Sequence, residues 1–102
     1  MVTSVPAAAD EIGLLYCDAD EAVLFSHQKL ARSPNGSGDL VAASFGAGLV
    51  AGLSPLAAAE RAARAAAEIV GAALQWGASE LPIVALADRI VDPTAPVRIT
   101  PV

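Results

Sequence analysis

The chain has 102 residues, of which 55% are hydrophobic and 17% charged, a balance that excludes intrinsic disorder and suits one small domain. Its formal charge of -5, from six basic and eleven acidic residues, leaves no basic stripe able to displace counterions from a nucleic-acid backbone. The single cysteine, Cys17, excludes an internal disulfide, and no pair of cysteines or histidines exists to hold zinc, so no metal-ligating residue is assigned and a reducing cytoplasm is expected.

In chain order, Val2 and Thr3 read as the end of a buried strand that runs into a turn over Ser4 to Ala9, an abrupt opening that leads us to expect further sequence upstream. The apolar runs Ile12 to Cys17 and Ala22 to Leu30 flank the acidic segment Asp18, Ala19, Asp20 and Glu21, which predicts a hairpin. Its three acids are expected to form a solvated tip rather than a metal site. Cys17 is expected to be a small core residue, and Tyr16 and Trp76 are expected to be packing groups. Ser, Pro, Asn and Gly are concentrated between Ala31 and Gly38, predicting a loop.

Leu40 to Leu53 is an apolar run of about 14 residues between Asp39 and Ser54, too short for the ~20 residues that cross a bilayer, and it reads as a buried helix. Gly46, Gly48 and Gly52 within it are expected to admit a neighbouring backbone. No basic stretch leads into an apolar core at the amino terminus, so a cleaved leader is not expected. Ser54 followed by Pro55 is a helix start, because Ser accepts an orphan amide and Pro suits the first helical position. The next helix, to about Trp76, is amphipathic: Glu60, Arg61, Arg64 and Glu68 share one side, while Leu56, Ala63, Ala67 and Val70 can face inward. Leu81 to Leu86 is a candidate strand, Ala87 to Val91 a turn of helix, and Val97 to Ile99 a last extended piece.

The most informative segment is Asn35, Gly36, Ser37, Gly38, Asp39, Leu40, a Gly-x-Gly-Asp at the mouth of an apolar helix. Glycines let an anion approach the backbone. The unpaired amides of a first helical turn, with the helix dipole behind them, then favour a phosphate. Asp39 stands where a carboxylate stays ionised and can accept a proton. Phosphoryl transfer asks for little more, since the protein mainly positions groups and stabilises charge. His27, the only histidine, is expected at a nucleotide edge or the surface rather than as a base.

Gly36, Ser37, Gly38, Asp39 followed by Leu40, Val41, Ala42 and Ala43 resembles the anion-hole and catalytic segment of ribokinase-superfamily kinases. The stretch Glu80, Leu81, Pro82, Ile83, Val84, Ala85, Leu86, Ala87, Asp88, Arg89, Ile90 is similar to an EL-x-x-VA-x-x-D-x-I ending of the pyridoxal kinase family within it. Val2, Thr3 and Ser4 look like the strand end where such kinases touch ATP phosphates, and Ser54 with Pro55 resembles the start of their next helix.

The resemblance implies an α/β fold, a partial ribokinase-like sheet with two long covering helices. Residues 1–102 would then be the carboxyl-terminal, nucleotide-binding part of a ribokinase-like domain whose amino-terminal part is absent. It implies ATP-dependent phosphorylation of the 5'-hydroxyl of pyridoxal, with Asp39 as the catalytic base and Gly36, Ser37 and Gly38 as the anion hole. Thr3 and Ser4 would hold ATP phosphates, and His27, Gln28, Lys29 and Leu30 would lie along the nucleotide. ATP and Mg2+ are the implied cofactors, and a homodimer is implied for the complete enzyme, with neither nucleic acid nor membrane as a partner. Because the ring-enclosing part of the family has no counterpart here, this chain alone is not expected to turn over. The competing readings are another small-molecule kinase of the superfamily, or a noncatalytic interaction module.

Overall fold

A computed structural model describes residues 1–6, 11–28, 37–75 and 87–102. Its elements are β1 (Val2–Pro6), β2 (Glu11–Cys17), β3 (Ala22–Gln28), α1 (Ser37–Val50), α2 (Pro55–Gln75), α3 (Ala87–Val91) and β4 (Arg98–Pro101). The four strands form one sheet in the order β1-β2-β3-β4, every neighbouring pair antiparallel. This is an α/β fold in which two long helices cover one face of the sheet. The expected strand over Leu81 to Leu86, like Trp76, lies outside the described residues.

The expected hairpin is β2 and β3, in register from Glu11 opposite Gln28 to Cys17 opposite Ala22. Its side chains alternate between faces, as a pleated strand requires. Leu14 lies opposite Phe25 and Tyr16 opposite Val23, and these four buried residues meet Val41 of α1 and Ala59, Ala62 and Ala63 of α2 to form the main core. Alternation also puts Cys17 on the other face, so it is exposed, not a core residue as the apolar run suggested. The first strand departs from expectation as well. Ser4 and Pro6 belong to β1 rather than to a turn, and Val2 is 52% exposed because β1 is the sheet's edge. A register shift between Val2 and Val5 marks an irregularity there, and a proline ending such a strand is the usual accommodation of an edge.

The first helix, expected to run to Leu53, ends at Val50. Gly52 has φ of +93°, and the amides of Gly52 and Leu53 donate to the carbonyls of Leu49 and Gly48, a Schellman cap. Ser54 then caps α2, its Oγ accepting from the Ala57 amide at 3.2 Å, with Pro55 in the first helical position. Ala58, Ala59, Ala62, Ala65 and Ile69 of α2 are wholly buried, because α2 packs against both the sheet and α1. Small side chains allow that double contact: a Cβ added at Gly48 of α1 would stand 2.9 Å from the Ala58 Cβ. Gly46, by contrast, has open space around it, so the expected close approach holds at Gly48 only. Of the four inward positions expected in α2, Ala63 and Val70 are buried, whereas Leu56 and Ala67 are half-buried.

The apolar run of α1 is not a buried helix. Leu40, Val41 and Ser44 face inward, but Ala42, Ala43, Ala47, Leu49 and Val50 are exposed. At its amino-terminal end, Leu40 joins Ile69 and Ala72 of α2 in a second cluster, against which Ile90 of α3 packs.

Candidate functional site

Two buried neighbours set the start of α1. Leu40 and Val41 are each 6% exposed and anchor the first turn in the two clusters, so the residue before them is turned outward. That residue is Asp39, exposed in the first turn of a helix 14 residues long. The amides of such a turn have no intrahelical acceptor, and the aligned peptide dipoles place roughly half a positive charge beside them. An exposed carboxylate therefore sits against a patch of free N–H groups, and a phosphate could reach both from solvent. Ser37 and Gly38 share that turn with Asp39, which puts three of the four residues of the Gly-x-Gly-Asp segment in one place. Gly36 lies outside the described residues, as do Lys29 and Leu30.

The remaining expected nucleotide contacts are distributed along the sheet. Thr3, which is exposed, and Ser4 lie in β1 within its register irregularity. His27, half-buried, and Gln28 are the last two residues of β3, opposite Ile12 and Glu11 and two strands away from β1. The chain leaving Gln28 reaches α1 through the eight residues 29–36, so the end of β3 and the start of α1 are close in sequence. Among the described residues no group of three or more His, Cys, Asp or Glu could hold a metal ion. Asp39 is the only carboxylate in the first turn of α1.

The acidic hairpin tip has a structural use. Asp18 Oδ1 accepts from the amides of Asp20 and Glu21 at 2.8 and 2.9 Å, and Oδ2 accepts from the Tyr16 hydroxyl at 2.5 Å. That hydroxyl bond, followed by the two amides, holds the Asp18 carboxyl below its ordinary range. The same bond first, then burial and the neighbouring negative charge, pushes the Tyr16 phenol up to about 12. Tyr16 is a packing group, as expected, with its polar end tied down.

Sequence reasoning treated Glu68 as one member of a solvated face. The structure puts it at the centre of a tertiary network instead. Its Oε2 accepts from the Thr94 and Ala95 amides, each at 2.9 Å, and its Oε1 stands 3.5 Å from Arg89 Nε. Arg64, paired with Glu60 at 3.1 Å, donates to the Ala95 carbonyl at 3.1 Å. These partners lie more than 20 residues further along the chain, beyond the reach of helical periodicity. A shallow cleft of ≈370 Å³ lined by Glu68, Gly71, Gln75, Arg89, Thr94 and Pro96 surrounds this network.

No family model matches the chain, and no curated protein matches it. Its fold does match solved structures, a pyridoxal kinase among them. The pyridoxal kinase from Entamoeba histolytica superposes with a TM-score of 0.71 at 18% identity, over 99% of this chain and 37% of that one. Plasmodium falciparum PdxK, solved with the ligands AMP-PNP and PL, gives the same TM-score of 0.71 at 21% identity, over 99% of this chain and 36% of its own. The chain thus has the fold of a little over a third of a pyridoxal kinase structure. Among the described residues no helix is long and apolar enough to cross a membrane.

Proposed function

We propose that this chain is the carboxyl-terminal, nucleotide-binding part of an ATP-dependent pyridoxal kinase, acting in the cytoplasm and forming a homodimer in the complete enzyme. The observation that carries the reading is the solvent-facing carboxylate of Asp39 in the first turn of α1, in a chain whose fold matches pyridoxal kinases along nearly its whole length. In this reading Asp39 accepts the proton of the 5'-hydroxymethyl group as its oxygen bonds to the γ-phosphorus and the bridge to the β-phosphate breaks. ADP leaves with the bridging oxygen. The amides of Gly36, Ser37 and Gly38 hold the moving phosphoryl, where donors gain most because charge is spreading over its oxygens. Thr3 and Ser4 hold the other phosphates, and His27, Gln28, Lys29 and Leu30 border the nucleotide. Mg2+, arriving with ATP, would neutralise phosphate charge.

Titration calorimetry of the chain with ATP and Mg2+ tests the cradle, and heat of binding is the expected result. Replacing Asp39 with Asn should leave ATP affinity within about threefold, because it removes a proton acceptor and not a phosphate donor. In the complete enzyme the same change should lower turnover by at least about a hundredfold, the usual scale of a positioned general base. Undiminished turnover in Asp39→Asn would remove the base from the scheme.

One observation favours a second reading, a noncatalytic interaction module: the outward side of α1, with Ala42, Ala43, Ala47, Leu49 and Val50, is apolar and exposed. Such a face suits a protein contact. Self-association of the chain together with no heat from ATP would select it.

A further inference from the structure

We infer that Glu68, on α2 and not in the proposed site, is a positioning residue for Asp39; the inference rests on the reading of α1 as the phosphate-binding turn. The first turn of α1 is held from beneath by Leu40, which is 6% exposed and packs with Ile69, Ala72 and Ile90. Ile69 and Ala72 belong to a helix of 21 residues and are placed by it. Ile90 is different. It belongs to α3, five residues long with no buried member, and an isolated helix of that length does not persist in water. Its position must be imposed from outside.

Among the described residues most of the polar contacts converge on Glu68, with Arg64 adding one to the Ala95 carbonyl. Arg89, next to Ile90, is drawn to Glu68 Oε1, and the amides of Thr94 and Ala95 close on Oε2. The Thr94 hydroxyl adds a longer contact of 3.4 Å. The Glu68 side chain is only 13% exposed, and the bonds its carboxylate accepts from backbone N–H groups are charge-assisted. Glu68 and Ile69 are consecutive, so one fastens the strap of residues 92–97 while the next touches Leu40. The strap sets α3, α3 delivers Ile90, and Ile90 with Ile69 fixes Leu40, the residue immediately after Asp39.

Amide hydrogen exchange on the whole chain separates positioning from general stability. The amides of Val41, Ala42 and Ala43 donate to the first-turn carbonyls, so their exchange reports fraying of that turn. Glu68→Ala should raise their exchange by about tenfold more than that of the amides flanking Ala62, whereas Glu68→Gln, which keeps an acceptor for the strap amides, should recover most of the protection. Ser54→Ala, which loosens the opposite end of α2, serves as the comparison and should change both sets alike. ATP affinity scales with the fraction of chains whose turn is formed, which a tenfold rise in opening barely changes, so the exchange contrast and not the affinity decides.

Exchange in Glu68→Ala that rises uniformly, as in Ser54→Ala, would overturn the inference. If the unaltered chain gives no heat with ATP, the kinase reading falls, while the exchange pattern still decides whether Glu68 orders the turn. Should Glu68→Ala not fold, Ile90→Ala removes the wedge and keeps the carboxylate. Unchanged Val41 to Ala43 exchange in that variant would equally end the argument.

Discussion

Asp18 and Tyr16 make the hairpin tip dependent on protonation at both ends of the pH scale. The folded phenol titrates at about 12 against an ordinary value of 10.0, so the unfolded chain loses its proton first. The stability this bond contributes is therefore complete below pH 10 and is lost as pH rises from about 10 to about 12. Asp18 acts in the opposite direction. Its carboxyl is lowered, so its contribution is complete above the ordinary carboxylate range and disappears as pH falls through the depressed value. The chain has one tyrosine, which makes an absorbance titration specific to this site. Replacing Asp18 with Asn should bring the phenol back toward 10.0, and a midpoint that stays near 12 would show that the hydroxyl is held by something else.

The same stretch shows how far side-chain placement is legible. Ile12 to Cys17 is apolar without alternation, so its composition and the acidic turn beside it identified a strand but could not say which side of the sheet each residue takes. Tyr16 was placed correctly and Cys17 was not. Asp39 was the more readable residue, because a short acid between glycines and a helical apolar run has one comfortable position, the first turn.

Among the elements, both long helices and the start of α2 were legible, whereas Gly52, expected inside the first helix, is the cap beyond its last residue, Val50. Gly52, Ser54 and Pro55 each satisfy or dispense with a specific backbone group at the turn between them. Which of the other glycines serves packing is a tertiary fact, and a pair of substitutions exposes it. Gly46→Ala meets open space and should stabilise the chain by up to about 1 kcal/mol through helix propensity alone. Gly48→Ala gains the same propensity but places a methyl 2.9 Å from the Ala58 Cβ and 3.3 Å from its Cα, atoms of a helix that cannot rotate away. A net loss of about 1–3 kcal/mol in chemical denaturation is expected from such overpacking. Equal stabilisation by both would mean that the helices lie further apart than the Gly48 to Ala58 contact requires. The strap was invisible at this scale, since Glu68 and Thr94 are joined by nothing that a helical or strand period records.

For the whole molecule, the antiparallel meander and the helical layer meet at Phe25, 1% exposed on β3, one of the two strands flanked on both sides. Much of the remaining core is alanine, so few large side chains carry the burial. Phe25→Ala should cost about 3–5 kcal/mol. That is a large part of the ~5–15 kcal/mol available to a domain of this kind, and the thermal transition should broaden or vanish. A cooperative transition at an unchanged midpoint would contradict a core centred on Phe25. The sheet's final strand was the least readable part of the architecture. β4 pairs with β3 only after α1, α2 and α3 have intervened, and its residues are all exposed, so no burial pattern announces it. The extended piece expected over Val97 to Ile99 overlaps it at Arg98 and Ile99, and its partner was left open.

That long return has a consequence for the continuity of the backbone. The exposed segment Ala51 to Ser54 lies inside the excursion between β3 and β4, so a protease cutting there would leave one piece with three strands and the other with the fourth. The ladder between Val23 to Ser26 and Arg98 to Pro101, reinforced across the sheet by Arg98 and Glu11, would still splice the halves. Nicked material should migrate as one body until a denaturant separates it.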